Sequence, residues 1–171
     1  HGAIVNDAGH LLYLGSGTIE SHGLTVEEST DQGRSWQVIG TVPQPEGIGL
    51  GEPYMVEAKS GKLIGLFRYG TSKLQEKFMY QAESHDVGRT WTMPIRTDIL
   101  GYPANMIRLT NDRILLVYGV RIPPFGERAR VSDDEGETWS DEIVLCTDTS
   151  TDLGYPASAQ LGDGSILTVY Y

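Results

Sequence analysis

The octapeptide Ser29–Trp36, STDQGRSW, returns as SHDVGRTW at Ser84–Trp91 and as SDDEGETW at Ser132–Trp139. All three tryptophans of the chain lie in these copies. The shared pattern, Ser-x-Asp-x-Gly-x-[Ser/Thr]-Trp, has the parts of a tight hairpin. The Asp side chain accepts hydrogen bonds from backbone N–H groups across the turn. The glycine supplies a residue with φ > 0. The tryptophan is expected to insert its ring among neighbouring sheets and fix the hairpin. With the acids at Asp31, Asp86 and Asp134, the chain repeats a unit of about 50 residues.

The similarity extends on both sides of each octapeptide. GEPYMVEAKSGKLIGLFRYG begins at Gly51, GYPANMIRLTNDRILLVYGV at Gly101 and GYPASAQLGDGSILTVYY at Gly154. Each reads as Gly-[Glu/Tyr]-Pro, a short strand, a tight turn and a second apolar strand. HGAIVNDAGHLLYLGSG at the start is a looser copy. A third strand (LTVEES, FMYQAES, RARVS) leads into the octapeptide, and a fourth (SWQVIGTV, TWTMPI, TWSDEIVL) leaves it. Four antiparallel strands per unit, with no helical period between them, predict an all-β protein built from propeller blades. The competing eight-stranded sandwich does not require the same octapeptide at the same place in every unit. The units fall at approximately 1–45, 51–98, 101–147 and, incomplete, 154–171. That is about three and a half four-stranded blades in a single domain, 1–171. The last strand is then an open sheet edge, a place where self-association is expected.

Charge and cysteine content narrow the partners. A net charge of −10 disfavours nucleic acid and anionic membrane surfaces as partners of the chain as a whole. No apolar run approaches the roughly 20 residues that span a bilayer. An acidic small ligand needs a local cluster of Arg or Lys. The single cysteine, Cys146, forms no internal disulfide and reads as a half-buried residue. No Cys/His spacing suggests a metal, His22 and His85 read as surface turn residues, and no cofactor is expected.

Antiparallel topology places the candidate site. If each first strand begins at the top, the first-to-second turn and the octapeptide hairpin both lie at the bottom. First-strand starts and second-strand ends then share the opposite rim. The rim residues are Glu52, Tyr102 and Tyr155, in the middle of each Gly-x-Pro, with Arg68 and Arg121. Arg68 lies seven residues past the turn glycine Gly61, and Arg121 nine past Asp112. Both steps are odd, so strand alternation puts the two guanidinium groups on one face. Arg128 and Arg130 also share a face, near the same rim. A carboxylate, two tyrosines and two arginines make an arrangement suited to an acidic sugar, because guanidinium forks pair bidentately with carboxylates.

The octapeptide resembles the Asp-box, or BNR repeat, of the sialidase (neuraminidase) superfamily, and the resemblance covers essentially the whole chain. It implies a six-bladed β-propeller with a sugar site over its axis. It further implies a glycoside hydrolase that removes terminal sialic acid or a related acidic sugar from glycans, and a secreted or periplasmic location. Sialidases attack with a tyrosine activated by a glutamate and hold the substrate carboxylate with three arginines. On that pattern Glu52 and Tyr155 are catalytic, while Arg68, Arg121 and Tyr102 bind substrate. The remaining arginine and the acid/base aspartate belong to the family's first blade, upstream of His1, and the chain's Arg-Ile-Pro, Arg121-Ile122-Pro123, follows a second strand of the third unit instead. The chain departs from the family at Tyr155-Pro156, where Tyr-Ser is common, and Tyr102 repeats the Gly-Tyr-Pro of Tyr155. Asp-box propellers also include non-catalytic receptors, so a glycan- or protein-binding propeller is the alternative.

Overall fold

The computed structural model of the chain describes residues 2–16, 23–148 and 150–171. His22 lies outside them. The first sheet holds β1 (Ile4–Val5), β2 (Leu11–Ser16), β3 (Leu24–Ser29) and β4 (Gln37–Val42). The second holds β5 (Leu50–Glu57), β6 (Leu63–Tyr69), β7 (Phe78–Ser84) and β8 (Ile95–Leu100). The third holds β9 (Ala104–Arg108), β10 (Ile114–Val120), β11 (Gly126–Ser132) and β12 (Ile143–Val144). A two-stranded sheet, β13 (Ala157–Gln160) and β14 (Ile166–Val169), follows. Neighbours in each sheet are consecutive in the chain and antiparallel. The only helix among the described residues is a 3-10 turn, Leu74–Glu76. The described residues form a β-propeller of the sialidase type, with three four-stranded blades and half of a fourth.

The fourth strands depart from the expected positions. In the second blade the expected TWTMPI is not a strand, and β8 begins at Ile95. Thr92 instead makes a two-bond bridge to Glu83, its N–H donating to the Glu83 carbonyl and its hydroxyl accepting from the Glu83 N–H, both at 2.9 Å. Pro94 has no N–H to continue a ladder. Ser140 makes the same bridge to Val131 in the third blade, and β12 shrinks to two residues.

The cores lie between sheets. Leu12, Leu14, Leu24 and Val26 of the first blade pack on Met55, Leu63, Phe67 and Trp91 of the second. Val56, Ile64, Leu66 and Met79 pack on Met106, Ile114, Leu116 and Tyr118 of the third. The second strand of a blade has both faces covered, so β10, ILLVYGV, is buried throughout and reads as a continuous apolar run. Leu115 and Val117 occupy the other face of the third sheet. Beyond it, Ile166, Leu167 and Val169 of β14 are exposed.

All three octapeptides close in the same way. In the second, the Ser84 hydroxyl accepts from Gly88 N–H at 2.8 Å and donates to Asp86 at 2.9 Å. Asp86 also accepts from the Thr90 N–H (2.8 Å) and hydroxyl (2.7 Å). Two successive residues, not one, are left-handed: Gln32–Gly33, Val87–Gly88 and Glu135–Gly136. Accepting so many hydrogen bonds holds the carboxyls of Asp31 and Asp86 down at about 2. The Trp91 and Trp139 rings each pack against the preceding blade, as expected. Trp36 departs from that expectation and is 40% exposed, because no preceding blade exists among the described residues.

Contacts between blades fix which end is which. Ser60, in the β5–β6 turn, donates through its N–H (3.0 Å) and hydroxyl (2.5 Å) to Glu135 of the third octapeptide. Lys62 bonds Glu137 of the same hairpin at 2.8 Å. First-to-second turns and octapeptides therefore share one end, and the Gly-x-Pro segments lie at the other.

Candidate active site

Glu52 owes its position to an irregularity in β5. Gly51 pairs with Arg68 and Tyr54 with Leu66, so the ladder slips at Glu52–Pro53. Such a bulge bends an edge strand and re-aims a side chain, and β5 is an edge strand that tolerates a proline. Glu52 sits at φ 40°, a strained value for a residue with a Cβ. Its Oε1 accepts from Arg68 Nη1 at 2.5 Å and from the Tyr155 hydroxyl at 2.9 Å. Burial pushes this carboxyl up, but the hydrogen bonds from Arg68 and Tyr155, with the charges of Arg68 and Arg121, outweigh it. The net shift is downward, so Glu52 is a carboxylate at neutral pH. Its Oε2 is buried and has no hydrogen-bond partner.

The two Gly-Tyr-Pro segments, alike in sequence, take different shapes. Tyr102 precedes a cis proline and is buried. Tyr155 sits at φ 50° with its ring 40% exposed and stacked on Tyr171 at 5.7 Å. Burial and the neighbouring Glu52 carboxylate raise the Tyr155 phenol, so the proton of this pair rests on the tyrosine. The Tyr102 ring is a platform for cations, with Arg68 4.1 Å and Arg121 5.1 Å from its centroid. Arg121 follows β10, donates from Nε to the Leu153 carbonyl at 2.8 Å, and stands 3.8 Å from Asp152. Its Nη2 is buried and unbonded. The five rim residues expected from the sequence thus meet in one place. Beside them Pro103, Asn105 and Tyr54 join Tyr155 around a cavity of about 310 Å³.

Sequence reasoning missed two residues here. Lys77 comes from the irregular segment between β6 and β7, where no periodicity applies, and its Nζ lies 4.6 Å from the Tyr102 centroid. Glu127 lies just before RARVS, the strand read from the sequence. It pairs with Gly119, is 1% exposed, and neither carboxyl oxygen has a hydrogen-bond partner. A Cβ on Gly119 would lie 3.2 Å from Glu127 Oε1 and 3.0 Å from Gly154 Cα, so only glycine leaves the acid its space. Burial lifts Glu127 to about 7 against the pull of Arg121 and Arg128. A raised acid stabilises the fold fully below the unfolded value of 4.5, and that contribution is lost as pH rises through about 7. Glu127→Gln should therefore stabilise the protein at pH 8 by on the order of 3 kcal/mol and change little at pH 4, as read by urea denaturation.

Arg128 and Arg130 are not among the cations placed over the Tyr102 ring. Arg128 is 2% exposed and ties together the carbonyls of Pro124, Glu127 and Cys146 with the Glu142 carboxylate. Arg130 bonds Tyr118 and Asp98. Both serve the packing of the third blade against its surroundings. Among the described residues no three His, Cys, Asp or Glu side chains are grouped to hold a metal, and no helix is long and apolar enough to cross a membrane.

The model of the BNR repeat-like domain matches residues 1–168. The chain belongs to that family. No curated protein matches this BNR repeat-like chain in sequence. Among solved structures it is similar to a protein of unknown function from Dyadobacter fermentans, at 29% identity and a TM-score of 0.84, over 99% of this chain and 48% of that one. It is also similar to the Penicillium chrysogenum alpha-L-arabinanase complexed with arabinobiose (16%, TM-score 0.73, 98% of this chain and 55% of that one). A third is the NanB sialidase of Streptococcus pneumoniae (18%, TM-score 0.74, 98% and 26%). At these last two identities the likeness is one of fold. The chain spans about half the length of the first two proteins and about a quarter of the third.

Proposed function

We propose that the protein containing these blades is a glycoside hydrolase acting on sialic acid or a related acidic sugar. The observation that carries the reading is the pairing of Tyr155 with Glu52 beside two arginines, one with a buried unbonded Nη2. An unmet buried donor costs about 1–3 kcal/mol, and a ligand carboxylate would recover that cost. A phenol approaches the anomeric centre of an anionic sugar without the repulsion a carboxylate nucleophile would meet.

In this reading Tyr155 attacks the anomeric carbon while its proton passes to Glu52 along the existing hydrogen bond. The glycosidic bond breaks, and the departing oxygen takes a proton from an acid supplied by another blade. Water, giving a proton back to that acid, then cleaves the tyrosyl–sugar bond, and Glu52 returns the proton to Tyr155. Proton transfer is uphill in the free site, since Glu52 is lowered and Tyr155 raised. Positive charge developing on the sugar ring favours the phenolate and offsets that cost in the transition state.

The full-length protein should release the aryl group from an aryl sialoside at least about 100-fold faster than from an aryl arabinofuranoside. One arginine–carboxylate contact at this site would supply the difference at about 3 kcal/mol. Equal rates, or hydrolysis of the neutral glycoside alone, would exclude the acidic-sugar assignment. Binding of sialosides without turnover would leave a binding propeller.

A further inference from the structure

Lys77 is a buried lysine with no carboxylate partner among the described residues. Its side chain is 8% exposed, while the lysine and arginine ion pairs of the second blade go to Lys59, Lys62, Arg68, Lys73 and Arg89. Buried lysines are almost always paired, because an isolated ammonium is costly to desolvate. Here Lys77, Arg68 and Arg121 all face one aromatic ring, that of Tyr102. The carboxyl groups near them are Glu52, bonded to Arg68, the exposed Asp152, 3.8 Å from Arg121, and the buried Glu127, on which Arg121 also acts. A chain of net charge −10 thus gathers three cations over one ring at this rim.

Lys77 also lines a cleft of about 590 Å³ on the β5–β6 side of the site, shared with Glu52, Arg68, Thr71 and Ser72. Backbone forms its floor, where the Gly70 N–H donates to the Gly49 carbonyl at 2.8 Å. A glycine floor lets a ligand approach the main chain, and the two hydroxyls add neutral donors beside the two cations. The cavity next to Tyr155 has a different lining, of Tyr54, Pro103 and Asn105, and carries no such charge.

We infer that Lys77 and Arg68, with Thr71 and Ser72, form a second oxyanion subsite in this cleft, selecting substrates that carry a further acidic group beside the sugar held at Arg121. The inference rests on the acidic-sugar reading above. The group is a carboxylate or sulfate on the adjoining residue, both of which suit an ammonium and a guanidinium fork.

Calorimetric titration of the full-length Tyr155→Phe protein, which binds without turnover in the reading above, tests this. The probes are α2,8-linked disialic acid against α2,3-sialyllactose, and a diuronic disaccharide against one with a single uronic acid. The two-charge member of a pair should bind at least about tenfold tighter, equivalent to about 1.4 kcal/mol. Lys77→Met should reduce that preference below about threefold while leaving the one-charge affinity unchanged, and Lys77→Arg should retain it. No preference in the parent, or equal weakening of both members by Lys77→Met, overturns the subsite. If only the uronic pair binds, with a Lys77-dependent preference, the sialic acid assignment falls and the subsite stands. If no acidic sugar binds, both fall.

Discussion

Tyr155→Phe in the full-length protein is expected to lower kcat on an acidic aryl glycoside by about 10³-fold or more while leaving ground-state affinity within about threefold. The substitution removes one oxygen, the donor of the 2.9 Å hydrogen bond to Glu52. The ring is 40% exposed and its stacking on Tyr171 survives, so the thermal midpoint should move by no more than about 2 °C. Arg121 keeps its contact with the Tyr102 ring, so carboxylate binding is retained. A fall in kcat without a rise in KM separates this outcome from a binding defect. Activity within tenfold of the parent would remove Tyr155 from the chemistry. Tyr102→Phe is the matched control, since that ring is buried and carries cations on its face.

Arg128→Met has the largest expected effect on stability. Its guanidinium serves three backbone carbonyls and the Glu142 carboxylate from a position 2% exposed. Methionine fills much of the volume and satisfies none of the four acceptors. The loss should be about 3–5 kcal/mol, or a fall in thermal midpoint of about 10 °C. It should also push Glu127 further up, since Arg128 is one of the two cations that lower it. Arg128→Lys should recover less than half, because one ammonium cannot reach carbonyls spread over Pro124, Glu127 and Cys146. A midpoint shift under 3 °C for Arg128→Met would show these bonds to be replaceable by water.

Much of the architecture was legible because a propeller spells its unit repeatedly. The octapeptide marks a hairpin, the Gly-x-Pro marks a strand start, and counting from the turns placed Arg68 and Arg121 on one face. What alternation cannot read is depth. Glu127 and Arg128 sit side by side on β11, and burial of both follows from β12, the Cys146 segment and Gly154 folding over them. Nor does a tripeptide reveal its surroundings: in Gly101-Tyr102-Pro103 the ring is buried, and in Gly154-Tyr155-Pro156 it meets solvent. Lys77 belongs to a segment without period, and only its distance to Tyr102 connects it to the rim.

Tyr155 stands on the sheet with the least cover. Hydrogen bonds from Ser158 to Asn105 and from Thr110 to Gln160 fasten β13 to the third blade, while the apolar side chains of β14 stay exposed. Glu52 and Arg68, in contrast, stand on a blade sandwiched on both faces. The phenol–carboxylate bond therefore joins a stiff half of the rim to a yielding one. A ligand that bridges the two halves must pay for ordering the second, and whatever packs against β14 sets how much of that entropy has been spent beforehand.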